Sequence, residues 1–137
     1  MSEESEVKSW KYIEDENDPD SIMLRKVPKH VRVYEISGPM FFGAADRIAT
    51  ISVKDFTRCL VIRMRAVNAL DATAMHSLEE LYDKLSKKHI AVVFSHVNEQ
   101  PMHVMQKAGF VEKVGSENFC AHIDEALERA AGFDSND

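Results

Sequence analysis

The sequence predicts an α/β domain with a largely parallel sheet, and two observations support this. From residue 22 onwards, short apolar segments alternate with amphipathic segments of helical length, which is typical of parallel strands joined by helices. In the clearest helical segment, residues 72–87, four apolar side chains follow the spacing i, i+4, i+7 and i+11: Ala74, Leu78, Leu81 and Leu85. The 137 residues are enough for one domain with its own core. We therefore expect a mixed, largely parallel sheet of about four or five strands.

Turn residues divide the chain into predicted elements. Strands are expected at residues 22–26, 31–36, 59–65 and 90–95, with a short final strand at 111–115. Helices are expected at residues 43–53, 72–87 and 99–108, followed by a last helix capped by Ser116. Pro101 in the first turn and Gly109 just after the end define the helix at 99–108, with Phe110 as a hydrophobic cap contact. The last helix is expected to place four apolar side chains on one face: Phe119, Ile123, Leu127 and Ala130.

The predicted strand at 59–65 carries polar side chains on one face. Arg63 and Arg65 alternate with apolar residues, whereas a strand covered on both sides would be apolar throughout. We therefore expect helices mainly on one face of the sheet, with the other face partly open. The predicted core consists of apolar residues from two strands: Leu60, Ile62, Met64, Ile90, Val92 and Phe94.

The turn after this strand is the main candidate for a binding surface. Asp71 is placed as a helix N-cap, and the small residues Ala72, Thr73 and Ala74 fill the first turn. Free backbone N–H groups at a helix start suit an anion, a phosphorylated hydroxyl or an acidic group of a partner. We predict partner or anion binding at Asp71–Ala74, with a nucleotide also open, and Thr73 as a possible phosphosite.

The same residues have a simpler structural interpretation. The Asp71 carboxylate could accept N–H bonds from Thr73 and Ala74 and stabilise the helix by about 1 kcal/mol. A threonine in the first turn is also a common residue at a helix start without being modified. The two interpretations of Asp71 are compatible with each other.

Composition excludes several classes of function. The net charge of −6, from 17 basic and 23 acidic residues, and the lack of a basic stripe argue against nucleic acid binding. Acidic residues concentrate at the ends, so we divide the chain into an acidic arm (1–21), a folded domain (22–132) and an acidic tail (133–137). No apolar run reaches the roughly 18 residues of a membrane helix, and no signal peptide is visible, so we expect a soluble chain. Cys59, opening a strand, and Cys120, on the last helix, are expected to be core thiols without a disulfide.

No pattern indicates catalysis, a metal or a cofactor. Of the six histidines, His96 and His103 are seven apart and form neither an H-x-x-x-H pair nor a site with cysteines. No glycine-rich phosphate-binding motif is present, and no acid or base converges on Cys59 or Cys120. We expect no enzyme activity. Catalysis is the third hypothesis for this chain, after two hypotheses that involve no catalysis.

Three segments in order resemble a known family. They are VYEISGPMFFGAADRI, CLVIRMRAVNALDATAMHSLEEL and NFCAHIDEALERA. Together they are similar to the STAS domain, most of all to the form at the cytoplasmic C-terminus of SulP (sulfate permease) anion transporters. The resemblance covers residues 31–131 and implies the STAS, or anti-sigma factor antagonist-like, α/β fold.

The resemblance implies a regulatory domain of a SulP-type transporter of sulfate-like anions. Its expected partner is the membrane domain of the same transporter, and a cytosolic regulatory protein is a second candidate partner. The expected location is the cytoplasmic side of the inner membrane, with the acidic arm as the tether. The transported anion and the oligomeric state stay open.

The alternative is a stand-alone regulator of the anti-sigma factor antagonist type. In that group a partner kinase phosphorylates a serine in an Asp-Ser-Ser/Thr-Gly motif. Asp71 matches the aspartate and Thr73 the second hydroxyl, but Ala72 falls on the first serine and Ala74 on the glycine. These two alanines fit the transporter group better.

Overall fold

The structure is a computed structural model that describes residue 25, residues 27–36 and residues 57–134. Its strands are β1 (Val31–Glu35), β2 (Cys59–Arg63), β3 (Ala91–Ser95) and β4 (Phe119–Cys120). Its helices are α1 (Ala72–Lys87), α2 (Glu99–Lys107), α3 (Phe110–Val114) and α4 (Ile123–Asp134), with a 3-10 turn at Ser116–Asn118 before β4. The predicted helix at 43–53 lies outside the described residues, as does the predicted strand at 22–26 apart from Arg25, which lies in a bend.

The described strands form one sheet in the order β1-β2-β3-β4, and each pairing is parallel. Val31, Cys59 and Ala91 lie side by side, so β1, β2 and β3 start at the same level. We call this the amino end of the sheet, and the level where the strands finish the carboxyl end. β4 is short and pairs only with Phe94 and Ser95 of β3. The predicted parallel sheet is confirmed.

The helix α1 has the predicted bounds because its signals are local. Asp71 caps its start, and two lysines in its last turn favour its end. Its buried face consists of Ala74, Met75, Leu78, Leu81 and Leu85. The chain leaves the helix through His89, whose backbone has a left-handed φ of 61°.

Two cores pack on opposite faces of the sheet. The first lies between the sheet and α1, α2 and α3, and it includes every predicted core residue: Leu60, Ile62, Met64, Ile90, Val92 and Phe94. The second lies under α4, where Ile123, Ala126 and Leu127 pack against strand residues such as Val61 and Val93. Most described helices therefore lie on one face, as predicted.

The expectation that the other face is partly open is wrong for β2. All five residues of β2 are buried, including Arg63 at 2% exposure. The reason is that α4 lies across this face and contacts β1, β2 and β3. A polar residue at the end of an apolar strand predicts exposure to solvent, but here the helix α4 covers the strand and Arg63 is buried.

The segment between α2 and α4 differs most from the prediction. Residues 111–115 are not a strand, because Gly109, with φ of 76°, lets the chain turn and start α3. Phe110 and Val114 are both buried, which is a helical spacing of four. Ser116 opens the 3-10 turn and does not cap α4.

Phe119 and Cys120 also lie in β4 instead of the last helix. Phe119 stacks on Phe94 in the first core, with ring centroids 5.0 Å apart. The predicted face of α4 is confirmed for Ile123, Leu127 and Ala130, which are buried in the second core. Both cysteines are free thiols in the structure, Cys59 buried and Cys120 half-buried.

Candidate functional site

The candidate surface lies at the carboxyl end of the sheet, in the turn from β2 to α1. In open α/β sheets, ligands and partners commonly bind at this end of the strands. Residues Met64 to Leu70 form the turn, and Asp71 begins α1. The loop residues Ala66, Asn68 and Ala69 are exposed, whereas Val67 and Leu70 are each 2% exposed and belong to the first core.

Asp71 acts as the helix cap that the sequence predicted. Its backbone is extended, with φ of −92° and ψ of 175°, and its Oδ1 accepts a hydrogen bond of 2.8 Å from the N–H of Ala74. Ala74 is 1% exposed and packs in the first core, while Asp71, Ala72 and Thr73 are exposed. Of the four predicted site residues, only Ala74 is therefore unavailable at the surface.

Two side chains from the start of α2 hold the turn in place. Asn98 Nδ2 donates to the carbonyl oxygens of Val67 at 2.7 Å and Arg65 at 3.2 Å. Gln100 Oε1 accepts a 2.8 Å hydrogen bond from the N–H of Leu70. The turn is thus fixed by hydrogen bonds from one side and by buried apolar side chains from the other.

The sequence analysis missed Asn98 and Gln100. Their signal is the position directly after β3, because the carboxyl ends of neighbouring parallel strands lie close together. Amide side chains are well suited to this role, since they can donate to carbonyl oxygens and accept from N–H groups. The predicted site contains only Asp71 and the three residues that follow it in sequence.

A partly buried ion pair connects the same turn to β1. Arg65 Nε lies 3.2 Å from Oε2 of Glu35, and the side chains are 20% and 5% exposed. Two further contacts, from Arg65 Nε and Nη2 to Glu35 Oε1, make the pair multidentate. Glu35 was also missed by the sequence analysis, although an acidic residue at the end of an apolar strand is a usable signal.

The start of α4 lies at the same end of the sheet. Arg25 Nε is 2.6 Å from Asp124 Oδ1, and this hydrogen bond, with the charges of Arg25, His122 and Arg63, holds the pKa of Asp124 below its usual value. His122 Nδ1 accepts a 3.1 Å hydrogen bond from the N–H of Asp124. Arg25 is therefore held at the carboxyl end.

The described part of the chain contains neither a cluster of metal ligands nor a membrane-spanning helix. No three side chains of His, Cys, Asp or Glu in residues 25, 27–36 and 57–134 come together as a possible metal site. Among the helices of these residues, none has both the length and the apolar character needed to cross a bilayer.

A comparison with family models decides the classification. The model described as the STAS domain matches residues 22–126. The chain belongs to the STAS domain family. The STAS match confirms both the predicted fold and the predicted family, while the division into arm, domain and tail stays a prediction.

Solved structures connect this STAS domain to SulP transporters. A sulfate transporter family protein from Wolinella succinogenes is 36% identical, with a TM-score of 0.76, over 85% of this chain and 97% of that one. The SulP transporter STAS domain from Vibrio cholerae is 30% identical, with a TM-score of 0.71, over 78% of this chain and 85% of that one. The domain is thus homologous to the STAS domains of SulP sulfate transporters.

Among curated proteins, the similarity covers one part of a much longer chain. "Putative sulfate transporter YvdB" of Bacillus subtilis (strain 168) is 24% identical over 107 residues, which is 76% of this chain. The chain spans only 20% of the length of that relative. The activity of such a longer protein is therefore not shown by the domain itself.

Proposed function

We propose that this chain is the cytosolic regulatory STAS domain of a SulP-type secondary transporter of sulfate-like anions. The observation that carries the proposal is its similarity to a sulfate transporter family protein over 97% of that chain and to a SulP transporter STAS domain over 85% of that chain. In this proposal the domain is not an enzyme and needs no cofactor. Anion transport belongs to the membrane domain, and the STAS domain acts on it by contact.

The turn at Asp71, Ala72 and Thr73 is the proposed contact surface. Its exposed residues sit on a backbone fixed by Asn98 and Gln100, so little conformational entropy is lost when a partner binds. The N-terminus of the 16-residue helix α1 favours an acidic or anionic group nearby. A rigid, exposed turn of small residues allows close approach of a partner's backbone.

The position of Arg25 supports the membrane domain as the partner. The ion pair with Asp124 holds Arg25 at the carboxyl end of the sheet, which is also the end that carries the Asp71 turn. If the acidic arm is the tether, the domain presents this end to the membrane domain, on the cytoplasmic side of the membrane. A cytosolic regulatory protein is a second proposed partner and would need another surface.

Thr73 stays a candidate phosphosite. Its side chain is exposed in the first turn of α1, where a phosphate would be favoured by the helix dipole. A phosphate there would add negative charge to the proposed contact surface and so change the same interaction.

The test is Ala72→Glu in the intact transporter that contains this domain. The substitution adds bulk and charge to an exposed position and removes no core atom. An acid in the first turn favours the helix, so we expect thermal melting of the isolated domain to be unchanged or slightly raised. Anion uptake by the intact transporter should change clearly at an equal amount of protein in the membrane.

The matched control is Ala108→Glu, which makes the same change at an exposed alanine that follows α2. It should leave uptake unchanged. Unchanged uptake with Ala72→Glu would reduce the Asp71 turn to a helix cap. Purification of the natural protein as a free 15.5 kDa regulator that binds an anti-sigma factor would favour the alternative function.

A further inference from the structure

The amino end of the sheet gathers positive charge from separate parts of the sequence. Because β1, β2 and β3 are parallel and in register, the turns that precede them lie side by side. Backbone hydrogen bonds join these turns, from Arg58 N–H to His30 O at 2.8 Å and from Ala91 N–H to Arg58 O at 2.9 Å. Four cationic residues lie in or beside these turns, together with the histidines His30 and His89: Lys29, Arg58, Lys87 and Lys88.

This concentration contrasts with the net charge of −6 for the whole chain. None of residues 27–30, 57–58 and 86–90 is Asp or Glu. Lys29, Lys87 and Lys88 are exposed, and none of them joins the ion pairs found among the described residues. The sequence shows no basic stripe because the cations meet only through the parallel topology.

The helix dipole explains only part of this pattern. Lys87 lies in the last turn of α1, where a cation stabilises the helix without any partner. Lys29 and Arg58 are not on a described helix, and they precede β1 and β2. A common external partner for the three exposed lysines is a more complete explanation.

An open pocket adjoins the basic turns. It has a volume of about 400 Å³ and is lined by Tyr82, Ser86, His89, Ile90, Ala91, Val92, Asn118 and Phe133. Two aromatic rings, Tyr82 and Phe133, supply apolar surface, and His89 lies directly after Lys87 and Lys88. The pocket is large enough for one big side chain, and the positive charge next to it comes from Lys87 and Lys88 on the side of His89.

We propose that the amino end of the sheet binds an acidic polypeptide segment that places one large apolar side chain in this pocket. The lysines would attract the segment, and the Tyr82 and Phe133 surface would give it a fixed register. This inference rests on the proposed function, because it assigns a surface to the soluble regulatory partner. An apolar anchor in a pocket with a charged rim is a common arrangement at protein interfaces.

A membrane surface is the competing source of negative charge, and the structure favours a protein. Arg25 is bound to Asp124 at the carboxyl end, which is opposite to the basic turns. A short tether from the membrane would then turn the amino end towards the solvent. A flat lipid surface also has no side chain to fill the pocket.

The experiment uses the full 137-residue chain and two fluorescein-labelled peptides. Both peptides carry glutamates and aspartates around a central position, which is tryptophan in one and serine in the other. We expect fluorescence anisotropy to show tighter binding of the tryptophan peptide than of the serine peptide. The binding of both peptides should weaken when the salt concentration rises from about 50 mM to about 500 mM. Lys87→Glu should weaken the tryptophan peptide about fivefold, and Ser86→Trp, which fills the pocket, should remove the preference for tryptophan.

The matched control is Lys107→Glu, which reverses an exposed lysine in the last turn of α2 just as Lys87→Glu does in α1. Peptide binding should be unchanged, and thermal melting of each variant checks that it is folded. Equal weakening by Lys107→Glu, or equal binding of the two peptides, would overturn the proposal. The proposal would also be overturned if binding to phosphatidylserine vesicles depended on Lys87 while peptide binding did not.

This assay involves neither Ala72 nor transport. If it fails while Ala72→Glu alters uptake, the docking surface is wrong and the proposed function stands. If it succeeds while Ala72→Glu has no effect, the amino end is the working surface and the Asp71 turn is not.

Discussion

Val61 tests whether α4 covers the second face of the sheet. Its side chain is fully buried at the centre of β2 and packs with Ile123, Ala126 and Leu127 of α4. Val61→Ala removes two carbons, which is about 1.6 kcal/mol of lost transfer free energy at about 0.8 kcal/mol for each carbon. Neither neighbouring strand can move into the space without breaking the sheet, so a cavity term should bring the total to about 2–3 kcal/mol.

The free energy of unfolding should be measured by urea denaturation followed by far-UV circular dichroism. Ile62→Ala, on the opposite face and also fully buried, should cost about 2–5 kcal/mol and shows that the assay reports on the core. Val111→Ala removes the same two carbons from a half-buried position in α3 and should cost clearly less. A loss below about 1 kcal/mol for Val61→Ala, with a normal loss for Ile62→Ala, would mean that α4 does not pack on this face in solution.

Two further predictions concern the helix cap and the thiols. Asp71→Ala should lower the free energy of unfolding by about 1 kcal/mol, because the N–H of Ala74 loses its acceptor. Asp71→Asn should retain most of this stabilisation, because an asparagine oxygen can accept the same hydrogen bond. In native protein, Cys120 should react with iodoacetamide well before Cys59, since burial raises the pKa of Cys59 from 9.0 to about 12. Because the folded state holds this proton more tightly than the unfolded state, the free energy of unfolding should fall as the pH rises from 9.0 towards about 12. In the Cys59→Ala variant this fall should be smaller. Fast labelling of Cys59 without unfolding would contradict the burial of β2.

Local patterns were sufficient for the elements that carry their own signals. The helix α1 has a capping aspartate, an apolar stripe and terminal lysines within one segment, and its bounds were predicted to the residue. The strands β1, β2 and β3 were predicted to within two residues for the same reason. The cap at Asp71 needed only the sequence around it.

Features that depend on distant segments were not predictable in this way. Residues Phe110 to Val114 form a helix because its first and last side chains both pack in the first core. The segment is too short for the spacing of its apolar residues to distinguish a helix from a strand. Asn98 reaches Val67, about thirty residues earlier, and Glu35 reaches Arg65 over the same separation. These pairs follow from strand order, which single-residue patterns do not contain.

The parallel topology also accounts for how the two proposed surfaces are separated. Five-residue strands place the amino and carboxyl ends of the sheet roughly 16 Å apart. The Asp71 turn and the Arg25–Asp124 pair lie at one end, and Lys29, Arg58 and Lys87 lie at the other. Substitutions this far apart are expected to act independently unless a rigid element couples them. The helix α1 is such an element, because Asp71 caps its start and Lys87 is its last residue. If a partner that binds at the amino end affects transport through α1, its effect should be lost when Ala72→Glu has already altered the contact at the other end.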